Sequence, residues 1–283
     1  MSAKVTPEMV KELRERTGVG MGKCKEALDT AGGDMERAID ILRKAGMASA
    51  VKKEGRETNE GLIGAAEGKT AYALIEVNAE TDFVVKNDKF KQFLKDVAEE
   101  AAETKPASVE AFLKQTYSKD KSITIDQYRS LAIQSLGENI KLRRVKLLPK
   151  SADVSIGIYS HMGGKIVTAV VLKGGSGQEA LARDIALHSA AEAPDYLRPE
   201  DVPQDVKARE EDIARAQVQG KPANIVEKIV EGKLKAFYDQ VCLNLQKYVK
   251  DNTITISALV EKEGKRLNKP LAIQSFVRWK VGE

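Results

Sequence analysis

The chain has few of the residues from which active sites are built. Its 283 residues include two cysteines, two histidines and one tryptophan, and aromatic residues make up 5%. Cys24 and Cys242 lie far apart and form neither a disulfide framework nor a zinc-ligand spacing. Such sparse usage fits a reducing compartment. No apolar run approaches the roughly 18 residues of a membrane span. Residues Met1 to Pro7 carry no hydrophobic signal core, so a cytoplasmic location is expected. Charge of one sign is also scarce: 46 basic residues face 42 acidic ones, for a net charge of +4. A nucleic-acid binder concentrates positive charge more strongly than this.

The remainder is that of a globular protein, with 42% hydrophobic and 31% charged residues. The length is enough for a sizeable core and more than one domain. The first ~50 residues have helical periodicity. Thr6 is placed to cap a helix with Pro7 at its first position, and Met9, Val10 and Leu13 form its apolar face. Thr17 to Gly20 breaks that helix. Cys24, Ala27 and Leu28 mark a second, stopped by Gly32-Gly33. Asp34 caps a third, carrying Ala38, Ile39 and Leu42. The charged run Lys52 to Glu57 reads as a linker.

An internal repeat follows. Ile63 to Val77 and Ile156 to Leu172 each read as strand, glycine turn, strand. A helical face follows each: Phe90, Phe93, Leu94 and Val97 in the first, Leu181, Ile185 and His188 in the second. Ser176 and Glu179 have the spacing of a capping box ahead of the second helix. Ile140 to Leu148 and Ile273 to Val281 close the halves as strands. Leu-Ala-Ile-Gln-Ser occurs at 131–135 and at 271–275, but the first copy lies on a helical pattern and the second runs into a strand. The fold class is therefore α+β: an N-terminal three-helix module, then a duplicated α+β core with antiparallel sheets. A charged helical hairpin, broken at Gly220 to Pro222, interrupts the second half. It can bury little apolar area alone, which leaves open a homodimer or a dimer of heterodimers. The expected domains are 1–54 for the module with its linker and 55–150 for the first half-core. Residues 151–193 and 237–283 make the second half-core, with 194–236 as the hairpin insert.

Motifs for chemistry inside this chain are weak. Gly64 to Lys69 and Gly18 to Lys23 each have three residues between their glycines, whereas a phosphate loop needs four. Direct nucleotide binding, a cofactor and a bound metal are not expected. His188 falls on an apolar helical face and reads as a packed histidine. His161, at a hairpin turn, is a surface candidate with no nucleophile paired to it. Cys24 lies on an apolar stripe and reads as a small core residue. Glu80 and Asp82 are two apart on a loop, a weak case for acid–base work. The basic run Lys141 to Lys146 could meet phosphate, making a ribosome- or RNA-associated protein the alternative function. Its apolar residues change phase at Arg143-Arg144, which points to a bulge or a protected sheet edge.

The most informative stretch is Thr81-Asp82-Phe83-Val84, in a polar segment from Asn78 to Asp88 that reads as a loop. A large apolar side chain beside a carboxylate, on a loop between rigid elements, is well placed to enter a partner. The competing reading has Phe83 fold back as a staple on the helix beginning near Asp88.

These residues resemble a known family. Leu13 to Met21 with Cys24 to Leu28, then Thr81 to Lys86, Gly137-Glu-Asn-Ile140 with Arg143-Arg144, Tyr159-Ser-His161 and Gly232 to Phe237 are similar to motifs of bacterial elongation factor Ts, in order and across the chain. The resemblance implies no enzyme but a guanine-nucleotide exchange factor that binds elongation factor Tu with GDP and promotes GDP release during translation. It implies that the N-terminal module is ubiquitin-associated-like and docks on the GTPase domain through Arg14 and Met21. It implies that Thr81, Asp82, Phe83 and Val84 enter the partner near its Mg²⁺, with Phe83 as a wedge and the ion dislodged. His161 would meet a different domain of the partner. Gly22 stands where some relatives carry a second methionine, and Met162 where glycine is common. No C-terminal helical module of the kind some relatives carry is expected to contribute contacts.

Overall fold

The computed structural model describes residues 4–218 and 222–283. Gly220 and Lys221, where the hairpin break is expected, lie outside the described residues. Contacts divide the chain into two units. The first takes in the chain through Pro149 together with Gly163–Lys165 and Lys280–Glu283, and the second Lys150–Met162 and Ile166–Trp279.

The first unit begins with three helices, α1 (Pro7–Thr17), α2 (Met21–Ala31) and α3 (Met35–Lys53). Their ends follow local chemistry. The Thr6 hydroxyl accepts the Met9 N–H at 3.3 Å, and Asp34 accepts that of Arg37 at 3.0 Å. Gly18 ends α1 with φ 68°, a left-handed conformation that a side chain would disfavour. Leu13, Val19, Cys24, Leu28, Ile39 and Leu42 close a core between the helices. The segment expected to be a linker from Lys52 is still helix as far as Lys53. Lys52 and Lys53 sit in the last turn, where cations meet the negative end of the helix dipole.

Strands β1 (Glu60–Glu67) and β2 (Ala71–Ala79) form an antiparallel hairpin, followed by α4 (Asp82–Lys86) and α5 (Asp88–Thr104). Helix α6 (Val109–Lys114), the small hairpin β3 (Thr116–Tyr117) and β4 (Asp120–Thr124), helix α7 (Ile125–Leu136) and strand β5 (Ile140–Pro149) complete the half. The sheet order is β1-β2-β5. Phe90, Phe93 and Val97 of α5 pack on Ile75 and Val77 of β2.

The second unit repeats this plan. Strands β6 (Val154–His161) and β7 (Ile166–Lys173) pair antiparallel, and α8 (Glu179–Glu192) follows. The expected capping box at Ser176 is absent: α8 starts after Gln178 without a side-chain cap. Gly177 takes φ 81°, and the Ser155 hydroxyl accepts the Gln178 N–H at 2.9 Å instead. After the insert come β8 (Lys247–Tyr248), β9 (Asp251–Thr255), α11 (Ile256–Leu267) and β10 (Ala272–Lys280), with sheet order β10-β7-β6, once α9 (Gln204–Ala216) and α10 (Ala223–Val241) have been passed. Helix α10 runs unbroken through Phe237 to Val241. The base of the insert is tied where Tyr196 pairs with Cys242, and the Leu243 N–H donates to the Tyr196 carbonyl at 2.9 Å. Among the described residues the two insert helices bury a small cluster, Ala214, Val218 and Val230.

The duplication extends to a signature the hairpin pattern did not reveal. Gln115-x-Tyr117-x-Lys119-Asp120 leads to Ile123-Thr124-Ile125, and Gln246-x-Tyr248-x-Lys250-Asp251 leads to Ile254-Thr255-Ile256. Both copies fold as the small hairpin, each closed by a 3.0 Å bond from the last isoleucine N–H to the glutamine carbonyl. Lys119 pairs with Asp96 of α5 and Lys250 with Asp184 of α8, each at 2.7 Å.

Each large hairpin also carries a glycine where its helix crosses. A Cβ on Gly157 would lie 2.0 Å from the Arg183 backbone nitrogen of α8, whereas one on Gly64 would meet the tip of Leu94 at 3.0 Å. Backbone cannot yield as a side chain can. Gly157→Ala should therefore lower stability by about 3 kcal/mol or more and Gly64→Ala by about 1 kcal/mol, read from urea unfolding midpoints. Equal losses would contradict this account of the crossing.

Candidate partner-docking site

Strand β2 delivers the chain to Glu80, and the next residues are helix rather than irregular loop. Thr81 caps α4, its hydroxyl accepting the Val84 N–H at 3.4 Å. Asn87 ends α4 and caps α5, accepting the Lys89 N–H at 2.9 Å. Five residues give little more than one turn, so their direction depends on what each buries. Val84 and Val85 are 9% and 3% exposed and join the core beneath the sheet. Phe83 is 81% exposed, so it does not fold back as a staple. Successive helical side chains are about 100° apart, and with two adjacent valines turned inward the ring before them turns out.

Asp82 is half-exposed. It accepts from Lys86 Nζ at 2.6 Å, and that bond holds its carboxyl below the usual range. Glu80 instead accepts the Asn139 N–H at 2.6 Å and lies 3.4 Å from Arg56. Glu80 and Asp82 thus serve separate partners. Thr81 is held from outside its own helix: its N–H donates to Glu138 Oε2 at 3.0 Å and its hydroxyl to Oε1 at 2.6 Å. Sequence reading did not find this contact. Its only trace was the Gly137-Glu-Asn-Ile140 motif, noticed through family likeness.

Of the other candidate contacts, Arg14 and Met21 lie in the first unit and are exposed, Met21 at 55%. His161 lies in the second unit at the end of β6, exposed, with its Nδ1 3.2 Å from the Tyr159 hydroxyl. Met162 follows in the left-handed region at φ 49° and is also exposed. A glycine would take that conformation without cost.

The remaining candidates have structural roles. The Cys24 thiol is buried and donates to the Val19 carbonyl at 3.4 Å, and burial raises its pKa. Gly64 to Lys69 lies in β1 and the turn after it, and Gly18 to Lys23 joins α1 to α2. Among the described residues no group of three or more His, Cys, Asp or Glu could hold a metal ion. No described helix is long and apolar enough to cross a membrane. The basic run contains the bulge its pattern predicts: Arg144 pairs with Glu76 and Leu142 with Val77, leaving Arg143 extra on the edge strand β5. Glu76 is fully buried, 2.7 Å from Arg144 Nε and 3.7 Å from Arg143. Those two guanidinium groups offset an internal carboxylate, as a buried charge requires.

His188 is fully buried, with Nδ1 accepting the Val249 N–H at 3.2 Å and Nε2 3.0 Å from Gln246 Oε1. Desolvation lowers its pKa against smaller upward pulls from Gln246 and Glu192. Glu100 holds the equivalent place in the first half, where it accepts the Ser118 N–H at 3.1 Å.

Comparison with known proteins agrees with the motifs. The family described as Elongation factor TS matches residues 80–283. The chain is 61% identical over 281 residues to "Elongation factor Ts" of Protochlamydia amoebophila, covering 99% of this chain and 100% of that one. It is 45% identical to the protein of that name from Chlamydia caviae and 44% identical to the one from Chlamydia muridarum. Each of these two alignments covers 97% of this chain and 98% of the relative.

Two measurements check the local geometry. Phe83→Ala should leave stability within about 0.5 kcal/mol of wild type, whereas Val85→Ala should cost about 2 kcal/mol, both from urea unfolding. A large loss for Phe83→Ala would mean the ring is packed. For His188 the folded pKa lies below the unfolded one, so its contribution is complete above about pH 6.5 and is lost as the pH falls toward the depressed value. His188→Gln should therefore lose less stability than wild type between about pH 7.5 and about pH 5.5. Parallel pH profiles would refute this.

Proposed function

The chain belongs to the elongation factor Ts family, and on that footing we propose that it is the exchange factor for elongation factor Tu and releases GDP by presenting Phe83 to the GTPase. The observation that carries this reading is the 81% exposed phenyl ring on a short helix whose other apolar residues are buried.

The GTPase holds GDP through backbone amides around the phosphates and through Mg²⁺ bridging phosphate and protein. An exchange factor performs no bond chemistry. It binds the nucleotide-free partner more tightly than the GDP-bound partner, and the factor by which it weakens GDP equals the factor by which GDP weakens it. Phe83 supplies such a difference if its pocket opens only when the nucleotide site is disturbed. Burying a phenylalanine side chain is worth about 1.5–3 kcal/mol, or roughly tenfold to a hundredfold in coupling. In this reading Phe83 wedges between partner side chains and the partner's Mg²⁺ loses its place. Asp82 acts beside it on local hydrogen bonds, and Thr81 and Val84 set the helix that carries both. Arg14 and Met21 dock the three-helix module on the GTPase domain, and His161 meets a second region of the partner.

Release of labelled GDP from elongation factor Tu tests this. Wild-type protein should accelerate it, and Phe83→Ala should reduce the acceleration by roughly tenfold to a hundredfold. A Phe83→Ala protein as fast as wild type would end the wedge reading.

A further inference from the structure

We propose that Glu138 is a positioning residue for exchange: its carboxylate locks the N-cap of α4 and so aims Phe83. The inference rests on the reading of Phe83 given above. Both oxygens of Glu138 are used. One accepts the Thr81 N–H at 3.0 Å and the other the Thr81 hydroxyl at 2.6 Å. That hydroxyl in turn accepts the Val84 N–H within α4, so the bond passes directly into the helix. A reciprocal contact closes the pair of loops, because Glu80 accepts the Asn139 N–H at 2.6 Å. The residue before Thr81 thus grips the residue after Glu138, and Glu138 grips Thr81. Gly137, at φ 83°, ends α7 just before Glu138 and turns the chain toward the clasp.

A helix of this length has almost no stability of its own. Two buried valines fix its roll, but nothing among its own side chains fixes its first residue against the sheet. The two charge-assisted bonds to Glu138 supply that restraint. With them in place Phe83 is presented before the partner arrives, and little ordering is left for the binding step.

The chemistry predicts which variant fails. Glutamine at 138 keeps one accepting oxygen and offers the Thr81 hydroxyl a neutral NH₂ in place of a carboxylate oxygen, so Glu138→Gln replaces charge-assisted bonds by weaker neutral ones at nearly constant shape. Initial contact through Arg14, Met21 and His161 does not involve the clasp. In GDP-release kinetics with full-length protein and elongation factor Tu, Glu138→Gln should lower kcat about tenfold and leave KM unchanged. Hydrogen exchange at the amides of Asp82 to Lys86 should accelerate, while the melting temperature stays close to wild type. On a Phe83→Ala background Glu138→Gln should cost nothing more, because it acts through that ring. Glu261→Gln, which removes an exposed carboxylate on α11, is the control and should behave as wild type.

A wild-type kcat or unaltered amide exchange for Glu138→Gln would overturn the proposal. So would an equal loss with and without Phe83, or a fall in kcat matched by a large fall in melting temperature. If Phe83→Ala slows release while Glu138→Gln does not, the clasp fails and the wedge stands. If Phe83→Ala alone is as fast as wild type, both fall.

Discussion

A phenyl ring next to a hydrophobic core buries itself unless its neighbours have already taken the space. In α4 Val84 and Val85 have taken it, and Phe83 is left in solvent at 81% exposure. The rest of the first unit serves that constraint. The sheet offers the surface on which the valines seat, and α5 continues the same core through Phe90 and Phe93. The turn between α7 and β5 holds the end of the short helix. An exposed aromatic side chain is common on protein surfaces and unremarked when it stands on a mobile tip. This one stands on a segment restrained from below by apolar contact and from the side by hydrogen bonds.

The duplication gives two versions of one scaffold with different fittings. Both halves carry a strand hairpin, a crossing helix with a glycine beneath it, and a small hairpin pinned to that helix by a lysine–aspartate pair. They differ where the small hairpin offers its next backbone N–H. The first half meets it with the Glu100 carboxylate and the second with the His188 imidazole. The same hydrogen bond is thus accepted by an imidazole whose burial lowers its pKa in one half and by a carboxylate in the other. The first half follows its hairpin with a short helix that leaves Phe83 exposed, while the second continues from β7 through a glycine-rich turn into α8.

Features set by neighbours in sequence could be read directly. The caps at Thr6 and Asp34 and the glycine stop at Gly18 are local chemistry, and they lie where the pattern puts them. The bulge at Arg143 appeared as a phase change in a strand, because side-chain alternation cannot survive an extra residue. Helix α4 was hidden because five residues are too few for a periodic signal. The cap at Ser176 failed because a residue from β6, far back in the chain, took its place. The contact between Thr81 and Glu138 spans 57 positions, and no single sequence marks such a pairing. The repeat from Gln115 and Gln246 is carried by identical residues at fixed spacing and leaves no mark in the hydrophobic periodicity.

The membership of Lys280–Glu283 in the first unit bears on how the protein is made. Arg144 donates to the Lys280 carbonyl at 3.1 Å, and the Gly282 N–H reaches the buried Glu76 across a separation of 206 residues. A nascent chain that has emerged as far as Pro149 holds every helix of that unit and both arginines that offset Glu76, but lacks the Lys280 carbonyl and the Gly282 N–H. Its assembly therefore waits on the synthesis of the second unit, and the ring closed by these contacts is among the slowest kinds to form. Order of synthesis and order of completion run in opposite directions in this chain.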